Sequence, residues 1–226
     1  GVAAKQMTDR FNVTIYNAND EQISASYTRT IEEYILSLFG NAKTSEAMKV
    51  VAVDFLNYGA AAQDKFGYRK TELANRGLTA DMKALATADS AVAGVTDARV
   101  KGALLAGTSV AAEYEIIPAT VYQNSKLTNV VKAEVSYVNF KGQTVSYEVA
   151  KADFGVYNAS MSKIEIKGTA VADGASPITV KLIDANGNVV DETIECVNYY
   201  CARMAADHEV FTMLLKVIYS AKVAFA

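Results

Sequence analysis

The chain has no tryptophan, one histidine, two cysteines and two prolines among 226 residues. Each shortage closes a class of chemistry. Hydrolytic triads need a histidine or an equivalent base. His208 stands alone between Asp207 and Glu209, at what reads as a helix start, and takes a solvated or capping role. Zinc sites need several thiolates and imidazoles at set spacings, and no second cysteine pair exists. Cys196 and Cys201, if on one helix, sit well around it from each other, a poor disulfide geometry. They read as two small buried hydrophobes, and their redox state stays open. The lack of tryptophan weighs against a sugar-binding platform. Lys plus Arg number 22 against 25 Asp plus Glu, so no basic nucleic-acid footprint is present. Long apolar runs are missing too. The longest, from Val210 to Ala226, is interrupted by Lys216 and Lys222 and is too short to span a bilayer. Lys5, Asp9 and Arg10 break the N-terminus before the apolar run of a leader forms. Gly1 reads as a residue left by cloning, so an upstream signal or domain stays open.

Other motifs fall short for geometric reasons. The run from Gly94 to Gly102 lacks phosphate-loop and dinucleotide spacing. Asp184, Asn186 and Asn188 alternate like the start of a calcium loop. Glu195 stands at the count where such a loop ends, but inside a strand, and a hairpin turn explains Asn186-Gly187 fully. Glu32-Glu33 and Asp191-Glu192 are adjacent carboxylates. Neighbours on a helix do not face one another, and neighbours on a strand point to opposite faces. No catalytic, cofactor-binding or metal residue is assigned, and no ligand-binding residue follows.

What the chain does have is apolar bulk, 51% hydrophobic against 21% charged. A chain this long buries roughly 70% of its unfolded surface, enough for a real core in one large or two small domains. It also has an internal repeat. The run from Phe11 to Asp20 (FNVTIYNAND) resembles that from Ile178 to Gly187 (ITVKLIDANG). Phe11, Val13 and Ile15 share one strand face, as do Ile178, Val180 and Leu182. Asn186-Gly187 predicts a tight hairpin, and Asn19-Asp20 a weaker one. The likeness continues: Ile31 to Tyr34 matches Val197 to Tyr200, and Leu56 to Ala60 matches Val217 to Ala221. Hairpin, helix, loop, helix therefore occurs twice, at roughly 10–66 and 177–226, a period of about 165 residues. Thr28 or Thr30, Ser45 and Asp207 are the expected helix caps. Gly59 to Ala62 is small enough to admit a close neighbour.

Between the copies, Ala98–Leu105, Val110–Ile117, Val131–Val138, Thr144–Val149 and Ser162–Lys167 read as strands, with Pro118 as punctuation. The stretch 67–94 reads as a connector with a short helix near 80–88. Tyrosine is enriched, 13 residues against 8 Phe. Tyr114, Tyr137 and Tyr147 could form a platform for sugars or proteins, or fill half-buried sheet faces.

The segment from Ala4 to Asp9 (AKQMTD), the Ile31-x-x-Tyr34 helix start, Leu56 to Gln63 (LNYGAAAQ) and Leu73 to Asn75 together resemble a repeated module of secreted and cell-surface proteins of anaerobic gut Firmicutes. The likeness covers most of residues 3–78, and 95–226 more loosely. Ser220 replaces Gly59 in the second copy, and the alanine run is lost. The resemblance implies an extracellular or surface location and an adhesive or scaffolding role. It supplies no catalytic residues.

The expectation is an α+β fold: an antiparallel β-sandwich or curled sheet with helical hairpins, partly duplicated. Residues 1–66 are the tail of one unit, 67–94 a connector, and 95–226 a complete unit. The N-terminal hairpin must hide its apolar face on the adjacent helices or extend the downstream sheet. The function expected is a non-enzymatic surface module for adhesion or assembly, with no cofactor and with a protein or glycan partner. A carbohydrate-binding accessory module using tyrosine platforms is the alternative, and an enzyme of unknown type the third.

Overall fold

Local capping and turn chemistry divides the chain into its elements. The computed structural model describes residues 2–99, 104–110 and 115–226. Strand β1 (Val2–Ala3) leads into a 3-10 turn, Ala4–Gln6, and strands β2 (Phe11–Val13) and β3 (Tyr27–Arg29) pair as a hairpin. Helix α1 (Ile31–Ser37) starts at Thr30. The Thr30 hydroxyl accepts from the Glu33 N–H at 2.9 Å, and the Glu33 carboxylate accepts from the Thr30 N–H at 3.0 Å. This reciprocal pair satisfies two donors that a helix start leaves free. Ser45 caps α2 (Glu46–Lys65) through the Met48 N–H, as expected.

Helix α3 (Ala80–Lys83) is shorter than the helix expected over 80–88. A helix would pair the Thr87 N–H with the residue 83 carbonyl. Instead that N–H and the Thr87 hydroxyl donate to the buried Asp54 carboxylate, at 3.0 and 2.6 Å. Gln63 binds the same connector further back, donating to the Glu72 carbonyl and accepting from the Ala74 N–H. Residues 67–94 are thereby strapped onto α2, with Ala74, Leu78 and Val92 buried.

Strands β4 (Leu104–Val110), β5 (Glu115–Gln123), β6 (Val130–Val138), β7 (Thr144–Ala150), β8 (Gly155–Asn158), β9 (Met161–Glu165) and β10 (Thr169–Ala170) follow. The expected strands at 98–105 and 110–117 lie only partly within the described residues. Pro118 lies inside β5 rather than after it. It falls where the second neighbour of β5 changes from β9 to β10, so the ladder is interrupted where Pro has no N–H to give. A 3-10 turn, Val171–Ala175, then β11 (Ile178–Asp184), β12 (Val189–Glu195), α4 (Val197–Met204) and α5 (Glu209–Phe225) complete the chain.

The fold is α+β with antiparallel sheets, and among the described residues none of them is closed. One sheet has the order β1-β4-β5-β9-β8, with β10 also on β5, and a second runs β12-β11-β6-β7. Their side chains meet in one apolar cluster: Tyr122 and Ile164 from the first, with Ile166 just past β9, and Val135, Tyr137, Val180 and Leu182 from the second. A separate cluster joins the helices, the two 3-10 turns and the connector, with α2 lying along α5. Leu56 and Val217 are fully buried there. Each such side chain contributes about 1.5–3 kcal/mol of burial.

The same succession of elements occurs twice, and it starts earlier than the sequence suggested. One fixed offset carries β1 onto β10, the first 3-10 turn onto the second, β2 onto β11, and Asn17 onto Asp184. The Ala3 N–H donates to the Gln6 side chain, and the Ala170 N–H donates to the Asp173 carboxylate. The Asp9 N–H closes on the Gln6 carbonyl at 3.0 Å, and Ser176 closes on Asp173 at 2.8 Å. β1 pairs with β4 and β10 with β5, so the two halves flank the antiparallel β4–β5 pair from opposite sides.

The hairpin turns also coincide. Asn17 Oδ1 accepts from the N–H groups of Asn19 and Glu21, and Asp184 Oδ1 from those of Asn186 and Asn188. Asp20 and Gly187 take positive φ, 61° and 83°. Only Gly187 of the Asn186-Gly187 pair is left-handed, so the expected hairpin closes through a three-residue loop with a bulge. Asn139 builds the same loop between β6 and β7, with Gly142 at φ 75°. The turn alone therefore does not mark a repeat; its place in the succession does.

Candidate functional site

The titratable residues singled out by sequence do not converge. His208 occupies the N-cap position of α5 but makes no cap bond, and its ring packs beside Phe211. Asp207 is not the cap, because its N–H closes the end of α4 on the Met204 carbonyl. Cys196 and Cys201 are free and buried. Burial pushes the Cys196 thiol up to about 11, and the Cys201 thiol higher still, which keeps both protonated and unreactive.

The adjacent acids separate as expected. Glu33 belongs to the capping box, while Glu32 is buried and pairs with Arg76 at 3.3 Å. Burial raises the Glu32 carboxyl, and Arg76 partly offsets this. Asp191 accepts from the Glu192 N–H, and the Glu192 carboxylate faces Lys181. Asp184 spends its oxygens on its own turn. Glu195 lies apart from it, buried and facing Arg203, which also pairs with Asp97. Among the described residues no three His, Cys, Asp or Glu side chains gather.

The nominated tyrosines point inward. Tyr137 donates to the Gly168 carbonyl at 3.1 Å, and burial raises its hydroxyl to about 12. The Tyr147 hydroxyl accepts from the Lys167 N–H, and its ring packs against the same inter-sheet cluster. Tyr114 lies outside the described residues. A cavity of about 390 Å³ is lined by Tyr147, Glu148, Asp153, Glu165 and Lys167. Two of its acids are tied to lysines, Glu148 to Lys132 and Glu165 to Lys163.

The feature that stands out is the β2–β3 hairpin. It forms a two-stranded sheet of its own, joined among the described residues to neither of the downstream sheets. Val13 and Ile15 are 54% and 55% exposed, whereas Val180 and Leu182, at the corresponding places of β11, are 0% exposed. Tyr27, opposite Val13 in register, is also exposed. The other face is closed by hydrogen bonds between polar side chains, with Tyr16 exposed beyond them. Thr14 and Ser26 share a hydrogen bond at 2.8 Å, and Thr28 donates to Asn12 at 2.6 Å. The hairpin thus holds its shape while one apolar face stays in water.

The alternation of Phe11, Val13 and Ile15 made this face legible in sequence. Its exposure was not, because an alternating strand reads the same whether or not its partner exists. No family model, curated protein or solved structure matches the chain.

Proposed function

We propose that this chain is a non-catalytic module of an extracellular, cell-surface protein, serving adhesion or surface assembly. The observation that carries the reading is the apolar face of hairpin β2–β3, exposed at Val13 and Ile15 in one half while the corresponding face of β11 is buried in the other. The repeated succession of elements supports an internal duplication, and a duplicated unit suits a modular surface chain. The shared apolar cluster supports reading the two larger sheets as the layers of an open β-sandwich. The sequence likeness to surface modules of gut Firmicutes supports the location.

An exposed apolar face of this kind marks an interaction site. The inward tyrosines give no support to a sugar platform at Tyr137 and Tyr147. The test is fractionation of the native bacterium with an antibody against this segment, followed by intact-mass analysis. A wall-bound or extracellular chain is the expected result. A small cytoplasmic chain overturns the reading.

A further inference from the structure

We infer that β2 is a docking edge for an antiparallel strand of the β6 kind, supplied by another unit of this repeat. This rests on the modular part of the proposed function and names the partner of that surface. The reason lies in the second half of the molecule. There the corresponding strand β11 has β12 on one side and β6 on the other. Ile178 faces Tyr137, Val180 faces Val135 and Leu182 faces Ala133. β2 has β3 on one side, and among the described residues no strand lies on the other.

The side chains needed for that pairing are present in the first half. Phe11, Val13 and Ile15 stand where Ile178, Val180 and Leu182 stand. Corresponding turns hold the two hairpins, with the Asn17 N–H on the Glu21 carbonyl and the Asp184 N–H on the Asn188 carbonyl. Transferring the register places Phe11 opposite a tyrosine-type residue, Val13 opposite a valine-type residue and Ile15 opposite a small one. The incoming strand alternates apolar and polar, as Val130–Val138 does, with its apolar side chains on the face of Val13. Strand addition supplies main-chain hydrogen bonds, and the alternate side chains supply specificity.

A second copy of this chain is a poor donor of its own β6, which is already paired on both edges by β11 and β7. The donor is a unit whose β6-type strand lacks its β11.

The probe is a synthetic hairpin peptide of residues 130–150 of this sequence, added to the full chain. The readout is backbone hydrogen exchange. The expected result is at least tenfold slower exchange at residues 11–16, saturable with peptide. The protein variants Val13→Asp and Ile15→Asp should lose that protection and keep the wild-type unfolding midpoint, because both positions are exposed. A peptide carrying Val135→Asp should give none. Protection on β7, β8 or β12 instead of 11–16 overturns the inference, as does no protection anywhere. Protection of 11–16 that grows with protein concentration and needs no peptide also overturns it, by showing self-pairing. Cell fractionation and this experiment are independent. A cytoplasmic chain that still captures the peptide sinks the surface reading alone, and a wall-bound chain that ignores it sinks this inference alone.

Discussion

Met7 and Gly174 hold corresponding places at the two 3-10 turns and meet their helices in opposite ways. Met7 fills the space over Gly59 of α2, where a Cβ would lie 2.4 Å from the Met7 sulfur. Gly174 leaves that space to Ile218 of α5, where a Cβ on the glycine would lie 2.6 Å from the Ile218 Cδ1. Each crossing needs one side to yield, and the two halves yield on different sides. This explains why Ser220 can replace Gly59 in the second half. The serine hydroxyl bonds to the Lys216 and Val217 carbonyls of its own helix.

Gly59→Ala therefore sets two effects against each other. Alanine favours the helix by about 1 kcal/mol, while overpacking costs about 1–3 kcal/mol. The Met7 side chain is fully buried and Ala74 blocks the other side at 3.1 Å, so the clash should win. Urea unfolding should show a net loss, and Gly174→Ala a comparable one. Adding Met7→Ala should remove most of the Gly59→Ala penalty in a double-mutant cycle. An additive cycle would show that the sulfur is not the obstacle.

Asp54 strings the connector to α2. Asp54→Ala leaves the buried Thr87 N–H without its acceptor, at a cost of about 1–3 kcal/mol. Asp54→Asn keeps one acceptor and should cost less. Limited proteolysis should move to residues 67–94 in the alanine variant before the rest of the chain is cut. Unchanged cleavage sites would show that Asp54 does not hold this segment.

The three matching turns predict an order of tolerance. Gly187 sits at φ 83°, and the corresponding residue of the first half is Asp20 at φ 61°. Gly187→Asn should be mild, because Asn accepts the left-handed region. Gly187→Ala should cost about 1–2 kcal/mol. Thermal unfolding midpoints in the order glycine, asparagine, alanine check this, and equal midpoints for the last two would contradict it.

Glu195 gives a pH signature. Burial raises its carboxyl above the ordinary 4.5, with Arg203 pulling the other way. The folded protein then holds this proton more tightly than the unfolded chain. The stability it contributes is present below 4.5 and is lost as pH rises through the folded value. Glu195→Gln cannot titrate, so its stability relative to wild type should rise with pH across that window. Glu32, also raised by burial, should give the same sign in Glu32→Gln. Parallel stability–pH curves for variant and wild type would rule this out.

The sequence by itself determined the local structure. Thr30 with Glu33 and Ser45 before Glu46 dictate where helices start, because their oxygens satisfy free N–H groups. Asn17 and Asp184 dictate the hairpins, and alternation dictates which face of each strand is apolar. The order hairpin, helix, helix was legible twice for the same reason. Four things were decided only by tertiary structure. Glu32 is buried because Arg76 reaches it from the connector, not because of its place in a first turn. The chain past α3 tightens into i→i−3 turns at Leu85 and Ala86 and is then held by Asp54, far away in sequence, through the Thr87 N–H. Tyr137 and Tyr147 turn inward because distant side chains such as Ile164 join their cluster and residues 167 and 168 meet their hydroxyls. Val13 and Val180 carry the same local pattern, yet one is in water and the other is dry. Burial depends on what packs against the face: Val180 sits in the apolar cluster the two larger sheets share, while Val13 stays 54% exposed.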